Sequence, residues 1–484
     1  MKSSVGRNTI INVGGSFAQL AVAFVVTPLY LHRIGADRYG ILAIVWIFIG
    51  YFGLFDLGLG QATTALVAKL RRPAHRSSLF WTALTINGGL GLIGGALVFA
   101  AGSVFFPHAK MPPELLPEVT AALPWLAGSV LVAVISSVIG GSVAGRELFF
   151  ALSTCSFVGM TAFLVVPLLV AFAFGPDLRL LIPAAILSRI AGTIPLAFVA
   201  WRYVPLGAPR FERRWLRPLF SFGGWATVSN VAIQVVGSLD RLVIVAISGT
   251  AAVTYYTVPF NLASRILVIP GAVLSATFPR FSKLRGDETD ELARRALLAM
   301  STVMTPLVVL GIVGMKFFLL HWLGPSLANA SAPAGQAILA GAWVNGMSYI
   351  PYARLSGKRR VDIVARLHLA ELVPSVAVVA LFLHLWGVYG GAWAVTLRSV
   401  IDTGLMFALS RLPWRTYAAL LPPALIVISS AALTRVWDPH SVVGAAVGAA
   451  VVFGVTLFVY VSAPEELRSR VIGTLRRVAL RPAT

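Results

Sequence analysis

Four arginines lie deep inside long apolar stretches of the sequence, where a charged side chain is costly. They are Arg189, Arg241, Arg265 and Arg398. Guanidinium groups bind phosphate through paired hydrogen bonds, so arginines in apolar surroundings indicate an anionic, phosphate-bearing ligand. Arg265 is the first candidate, because it lies about 18 Å into its stretch at the helical rise of ~1.5 Å per residue. Asn261 precedes it by one turn on the same face. An arginine paired to a carboxylate across helices is the alternative.

Polar side chains recur at helical spacing in two of these stretches. The two stripes are Asn230, Gln234, Ser238 and Arg241 in one stretch, and Asn12, Ser16 and Gln19 in the other. Hydroxyl and amide groups on one helix face suit hydrogen bonding to a polar ligand such as a sugar. Hydrogen bonds between neighbouring helices are the alternative use of such residues.

Carboxylates in apolar stretches are candidates for ion coupling or gating. They are Asp56, Asp240, Glu371 and Asp402. Burial favours a protonated carboxyl group, so coupling to H+ or Na+ is an expectation. For Asp56 the alternative is a structural bond to backbone near its glycines. Asp402 lies one turn after Arg398, so an ion pair within that helix is an equal interpretation.

A short charged group separates the first two apolar stretches. It consists of Arg33, Asp37 and Arg38. These residues are candidates for an outer gate that attracts an anionic head group. Capping of the loop itself is the alternative, and the sequence does not separate the two.

Other chemistry is missing from the sequence. The seven histidines have no metal-ligand spacing, and the motifs of zinc proteases, phosphate-binding loops and serine hydrolases do not occur. The sequence therefore predicts no metal, no cofactor beyond a coupling ion, no ATP hydrolysis and no enzymatic activity.

The composition places these residues in a membrane. The chain has 484 residues, of which 58% are hydrophobic and only 12% are charged. Soluble proteins carry about 25% charged residues. Apolar runs of about 20 residues recur along the whole chain. These features exclude a soluble enzyme, a disordered chain and a fibrous protein, and they predict an all-α polytopic membrane protein.

Fourteen transmembrane spans are predicted. Their limits are 8–31, 39–66, 78–106, 119–144, 148–174, 178–201, 218–247, 252–279, 293–320, 332–353, 361–386, 388–410, 417–436 and 441–462. With both termini in the cytoplasm, 29 of the 39 lysines and arginines fall in cytoplasmic segments and 6 in outer ones. This positive-inside bias supports the count and the orientation. It also explains most of the net charge of +21. The charge therefore does not indicate nucleic acid as a partner.

Some residues recur about 209 positions apart, in spans or loops that hold the same position in the two halves of the chain. This recurrence indicates an internal repeat. Arg189 and Arg398 are 209 residues apart, in the sixth and twelfth spans, and Gly35 and Gly249 are 214 apart. An even number of spans per repeat makes the repeat parallel, as in several transporters that work by alternating access. We predict two six-helix lobes (1–210 and 211–415), two extra helices (416–462) and a basic amphipathic cytoplasmic tail (463–484). The tail is expected to lie on anionic inner-leaflet lipids.

The N-terminal quarter carries a family-like pattern. It comprises Arg7-Asn8, Pro28, Ile34-Gly35, Tyr39-Gly40 and the run Asp56-Leu57-Gly58-Leu59-Gly60. The pattern resembles the polysaccharide-transporter family, the Wzx-type lipid-linked oligosaccharide flippases. These flippases belong to the MOP superfamily together with the MATE drug exporters and the lipid II flippase MurJ.

The resemblance implies a MATE-like fold in which spans one, two, seven and eight line a central cavity. It implies that the substrate is an undecaprenyl-pyrophosphate-linked glycan, an O-antigen or exopolysaccharide repeat unit, moved from the inner to the outer leaflet. It also implies a bacterial cytoplasmic (inner) membrane location and coupling to an ion gradient in some members. A polysaccharide polymerase and glycosyltransferases are the expected protein partners.

Three other kinds of function remain open at the level of the sequence: a different transporter with the same fold, a membrane enzyme and a scaffold. A MATE-type cation-coupled drug exporter and a lipid II-type flippase share the expected fold. A membrane glycosyltransferase or acyltransferase fits less well, because the loops are short and mainly basic. A scaffold subunit of a polysaccharide-assembly complex is the third, and the duplicated lobes make it less favoured.

Overall fold

The structure is a computed structural model, and its described part is almost entirely helical. It describes residues 5–204, 207–221, 237–284, 286–358, 360–436, 448–451, 453–455 and 457. No strand occurs among these residues. Gln234, Asn230 and the predicted tail 463–484 lie outside them.

Fourteen α-helices, numbered α1 to α14, have bounds in the described ranges, which also contain helical residues at 216–221, 448–451 and 453–455. In chain order they are Val5–Phe55, Leu59–Lys69, Pro73–His108, Leu115–Ala144, Phe149–Phe174, Leu178–Tyr203, Leu239–Ser248, Thr250–Ala263, Val268–Phe281, Asp287–Leu323, Pro325–Gly357, Val361–Ser410, Trp414–Ala418 and Leu421–Val436. Two short 3-10 helices, Arg213–Trp215 and Ser264–Leu267, lie between them.

The fourteen predicted membrane spans are confirmed, although they do not coincide one to one with these helices. Each span contains helical residues in the described part. Eight helical stretches there are long and apolar enough to cross a membrane by length and composition. Helices α1 and α12, of 51 and 50 residues, each hold two consecutive predicted spans.

Glycines break the chain at the predicted loops. Gly35 interrupts α1 with a φ of 78°, and Gly249 separates α7 from α8 with a φ of 91°. Their ψ values of 172° and 175° are also nearly equal. A side chain at such a φ would be strained, so glycine at equal rank in both repeats allows the same sharp turn. Gly387 bends α12 in a related way with a φ of 61°.

Span two is not the continuous helix that the sequence predicts. The backbone turns between α1 and α2, where Leu57 and Gly58 both have positive φ values, 48° and 72°. The apolar pattern runs through this turn unchanged, so periodicity alone does not reveal it. The turn places Asp56 at the start of α2.

The chain forms two compact units, Met1–Thr254 and Tyr255–Thr484. In the first unit, a core built from α2, α3, α4 and α6 includes Leu59, Leu79 and Val138. Helices α2 and α4 approach closely through Gly60 and Gly141. A Cβ at Gly141 would overlap the Gly60 carbonyl oxygen, and a Cβ at Gly60 would overlap Ser137 Oγ. Because α7 and the first turn of α8 pack with the first unit, its limit falls at Thr254. The domain limits inferred from the sequence (1–210, 211–415 and 416–462) remain predictions.

Candidate functional site

Arg265 lies where the helical geometry changes in the middle of a span. The apolar stretch Thr250–Phe281 has 32 residues, and Arg265 lies at its centre, in the short 3-10 helix between α8 and α9. Its side chain and that of Asn261, one turn earlier, are both exposed. The ion pairs formed by the described residues do not include Arg265. A cation at this depth needs water or an anion beside it, because hydrocarbon does not solvate charge.

The polar stripes of spans one and seven are only partly described. Gln19 is half-buried in α1, and Asn12 belongs to the same helix. Arg241, in the first turn of α7, is 6% exposed, and its Nη1 donates to the Gly237 carbonyl at 3.4 Å. The buried Asp240 carboxylate accepts the Arg241 backbone N–H at 2.9 Å. The side chains of Arg241 and Asp240 therefore both bond to backbone groups near the start of α7.

The two deep arginines of equal rank have different surroundings. Arg189 is half-buried in α6, where its carbonyl accepts a hydrogen bond from the Thr193 hydroxyl at 3.0 Å. Arg398 lies within electrostatic reach of His368, Glu371 and Asp402. The two arginines occupy corresponding positions, but the charged neighbours of Arg398 have no counterpart among the described residues that act on Arg189.

The bend of α12 brings these four residues together, and we call them the α12 cluster: His368, Glu371, Arg398 and Asp402. His368 Nε2 lies 3.7 Å from Asp402 Oδ1, across the bend. Oε1 of Glu371 and Oδ1 of Asp402 are buried and make no hydrogen bond to the described residues. Carboxylate oxygens in this state can take up a proton or contact a small cation.

Asp56 lies in a buried hydrogen-bond network of the first unit. Its carboxylate accepts the Gly60 backbone N–H at 3.1 Å and Asn87 Nδ2 at 2.6 Å. Asn87, on α3, is fully buried and also donates to the Val134 carbonyl of α4 at 3.1 Å. The carboxylate thus bonds the first turn of α2, and through Asn87 it connects α2 to α3 and α4.

Replacement of Asp56 by alanine is expected to destabilise the protein. Asp56→Ala removes both acceptors, and each buried donor left unpaired costs about 1–3 kcal/mol. Asp56→Asn keeps one acceptor oxygen and is expected to lose about half as much. Thermal unfolding of the purified protein in detergent measures both. Unchanged stability together with lost transport would instead assign Asp56 to ion coupling.

The predicted outer-gate residue Asp37 contacts the junction between α7 and α8. Its Oδ1 accepts the Thr250 hydroxyl and the Ala251 N–H, the latter at 3.1 Å, so it caps α8. Thr254 Oγ1 of α8 also donates to the Ala36 carbonyl at 2.6 Å. Lys110, between α3 and α4, donates from Nζ to the Ile247 carbonyl of α7 at 2.8 Å. We call this set of contacts the outer junction.

Gly40 lets the outer junction close. A Cβ at Gly40 would overlap the Thr250 carbonyl oxygen and would lie 3.1 Å from Thr254 Oγ1. Any larger residue therefore requires the α8 backbone to move.

The other two gate candidates, Arg33 and Arg38, fix the turn at Gly35 in α1 to α5 and α4 of the same unit. Arg38 forms a bidentate pair with Glu118 of α4, at 2.6 and 3.2 Å. Glu118 also accepts the Leu178 N–H at 3.0 Å. Arg33 Nε donates to the Ala171 carbonyl at 2.9 Å, and its guanidinium lies over the Phe172 ring. These arginines therefore support the turn on which Asp37 is placed.

Several partners were not singled out from the sequence. Asn87, Glu118 and His368 are polar residues within apolar stretches or at their ends, which is a usable signal. Thr250 and Gly40 carry no such signal, because their roles depend on one close approach between helices distant in the chain.

These features define a class of protein before any comparison. The chain is a multi-pass helical membrane protein with an exposed mid-span cation, two carboxylates that each have a buried oxygen, and hydrogen bonds between α1 and the start of α8. The family model of the polysaccharide biosynthesis proteins matches residues 5–285, more than half of the chain. The chain belongs to this family.

The relatives agree with that assignment. A Shigella flexneri protein named "Putative O-antigen transporter" is 23% identical over 405 residues, which cover 83% of this chain and 97% of the relative. The lipid II flippase MurJ, in an inward closed conformation, gives a TM-score of 0.68 at 12% identity over 93% of this chain and 99% of MurJ. A multidrug resistance MATE family transporter in an inward-facing conformation gives 0.65 at 15% identity, over 85% and 98%. The fold is that of MOP-superfamily transporters, as the sequence predicts.

Proposed function

We propose that this protein is a flippase for a polyprenyl-pyrophosphate-linked oligosaccharide, moved from the inner to the outer leaflet of the bacterial cytoplasmic membrane by alternating access. The observation that carries the proposal is Arg265, an exposed cation at the centre of a membrane span. A pyrophosphate cannot cross hydrocarbon unassisted, and a guanidinium in a hydrated cavity offers it two parallel hydrogen bonds. Family membership and the O-antigen transporter relative support the same substrate class.

Reconstituted transport tests this function. The full-length protein is placed in vesicles that hold a fluorescent polyprenyl-pyrophosphoryl sugar in both leaflets. Because the protein equilibrates the leaflets, a membrane-impermeant quencher then reaches most of the label, whereas it reaches about half without protein. A polyprenyl sugar without phosphate is the matched control. Equal movement of both lipids, or movement of neither, would contradict the proposal.

The α12 cluster supports coupling of transport to an H+ or Na+ gradient. Glu371 and Asp402 each keep a buried oxygen without a hydrogen bond from the described residues, beside His368 and Arg398. A cation that binds there changes the charge balance of the bend in α12. No step of lipid binding requires these carboxylates.

Neutral substitutions in the α12 cluster are expected to uncouple transport. Glu371→Gln and Asp402→Asn keep the shape of each side chain but cannot be ionised, so an imposed pH or Na+ gradient no longer drives net movement. Passive exchange of lipid between leaflets persists. The exposed Glu147→Gln is the matched control. Gradient-driven transport that survives both changes would remove the cluster from coupling.

A cation-coupled drug exporter is the second candidate, and the same two carboxylates favour it. In that case organic cations would move and pyrophosphate lipids would not. The exposed mid-span cation Arg265 opposes it, because a positive group repels a cationic drug. Uptake of a fluorescent organic cation into the same vesicles distinguishes the candidates.

A further inference from the structure

A cavity opens at the end of the first unit that the sequence predicts to be cytoplasmic. It has a volume of about 450 Å3 and lies between the first turns of α3 and the segment 207–215. Ligand pockets commonly fall between about 300 and 1,000 Å3. Its polar lining consists of His75, Ser77, Ser78, Arg210, Glu212 and Arg214. We call it the α3 pocket.

Hydrogen bonds fix the two walls of the α3 pocket against each other. Trp215 Nε1 donates to Ser78 Oγ at 2.9 Å, and the Glu212 backbone N–H donates to Thr82 Oγ1 at 3.0 Å. Gly207, with a φ of 48°, brings its backbone close to Ser77, since a Cβ there would lie 2.8 Å from Ser77 Oγ. The cavity is therefore part of the fold, and its shape does not depend on a ligand.

The pocket carries more positive than negative charge. Arg214 Nε pairs with the Glu212 carboxylate, and its guanidinium stacks on Trp215 with Cζ 5.1 Å from the ring centroid. The pair neutralises one arginine's charge and fixes its plane, while both Nη groups of a guanidinium can donate further. Arg210 adds a second guanidinium, and the His75 ring lies 6.3 Å from the Trp215 ring.

This arrangement differs from an ordinary basic surface. The positive-inside bias accounts for arginines at this end of the helices, but not for their placement around a cavity. The floor contains two buried hydroxyl-bearing residues, Ser77 and Ser78. The first turn of α3 also lines the cavity, and a helix N-terminus favours an anion. Arginine forks and hydroxyl groups are the usual recognition set for phosphate.

We propose that the α3 pocket binds a phosphate group carried by a lipid head group or free in solution. The proposal does not depend on transport, because the pocket belongs to the first unit and shares no residue with Arg265 or the α12 cluster. A lipid phosphate held there would anchor this end of α3 to the leaflet surface. A free phosphate would bind without anchoring the helix, since it carries no acyl chain.

Binding to the purified, delipidated full-length protein tests the proposal with three probes. The probes are phosphatidic acid, phosphatidylcholine and radiolabelled inorganic phosphate, with lipid binding measured by native mass spectrometry. Arg210→Ala combined with Arg214→Ala is expected to lower affinity at least about tenfold, because each removes a charge-assisted hydrogen bond. Arg71→Ala combined with Arg72→Ala removes the same charge from exposed positions outside the lining and is the matched control.

The outcomes separate the two sources of phosphate. Loss of phosphatidic acid binding alone assigns the pocket to a lipid head group, and loss of inorganic phosphate binding alone assigns it to a soluble ligand. Arg210→Ala by itself guards against misfolding, because Arg210 is exposed; it is expected to weaken binding with unchanged thermal stability. Equal losses in the control variant, or no loss in either variant, would overturn the proposal.

Discussion

Arg265→Ala is expected to abolish export of surface polysaccharide while the amount of protein in the membrane stays unchanged. Hydrogen bonds to charged groups contribute about 1.5–3 kcal/mol each, so loss of a bidentate contact lowers pyrophosphate affinity at least about tenfold. Protein level should hold, because Arg265 is exposed and forms none of the ion pairs of the described residues. Complementation of a strain that lacks the gene measures export, and vesicle quenching measures lipid movement.

Two further variants sharpen the result for Arg265. Arg265→Lys keeps the charge but loses the two-pronged geometry of the guanidinium. Its transport rate is expected to lie between the rates of the wild type and of Arg265→Ala. Arg280→Ala removes an exposed arginine near the C-terminal end of the same apolar stretch and is the matched control. Normal export in Arg265→Ala would remove Arg265 from the mechanism. A loss of protein from the membrane would instead assign it a structural role.

The architecture was predictable from sequence because the membrane imposes strict rules. Apolar length, the positive-inside bias and turn glycines each follow from the cost of polar groups in hydrocarbon. Gly35 and Gly387 each fall between two predicted spans, and both have positive φ. The turn at Leu57–Gly58 was not recognised, because it interrupts the helix without interrupting the run of apolar residues.

The candidate residues were predictable by type, but their partners were not. A deep carboxylate or arginine is visible in the sequence, so Asp56, Arg265 and Glu371 were found. Whether such a group is satisfied depends on contacts between distant helices. Asp56 bonds Asn87, 31 residues away, whereas Asp37 bonds Thr250, 213 residues away. No local pattern in the sequence encodes these separations.

The lobe limits show the same dependence on distant contacts. The repeat predicts a boundary near residue 210, between spans six and seven. The compact units divide after Thr254, and the start of α8 bonds Ala36 and Asp37 while the end of α7 bonds Lys110. In alternating access, such contacts form in one state and separate in the other. The outer junction therefore connects residues of the predicted second repeat to the first compact unit. We infer that it is a gate.

Gly40→Val is expected to hold this gate open and to lower transport at least about tenfold. A valine side chain would overlap the Thr250 carbonyl, and overpacking against backbone costs about 1–3 kcal/mol. A shift of that size changes the ratio of two conformations by about 5–150-fold. A cysteine at Val253, which is fully buried, reports the state in a Cys155→Ser background. It should react with an impermeant maleimide from outside at least about tenfold faster when Gly40 is replaced by valine than in the protein with Gly40.

Matched substitutions separate gating from loss of structure. Gly128→Val, on α4 where an added Cβ meets no neighbouring atom, is expected to leave transport and labelling unchanged. Asp37→Ala removes two bonds from the junction without adding bulk, so it should raise labelling less than Gly40→Val does. If the cysteine at Val253 stays unreactive in Gly40→Val while transport falls, the outer junction is a fixed contact and not a gate. If labelling rises and transport is normal, its closure is not part of the cycle.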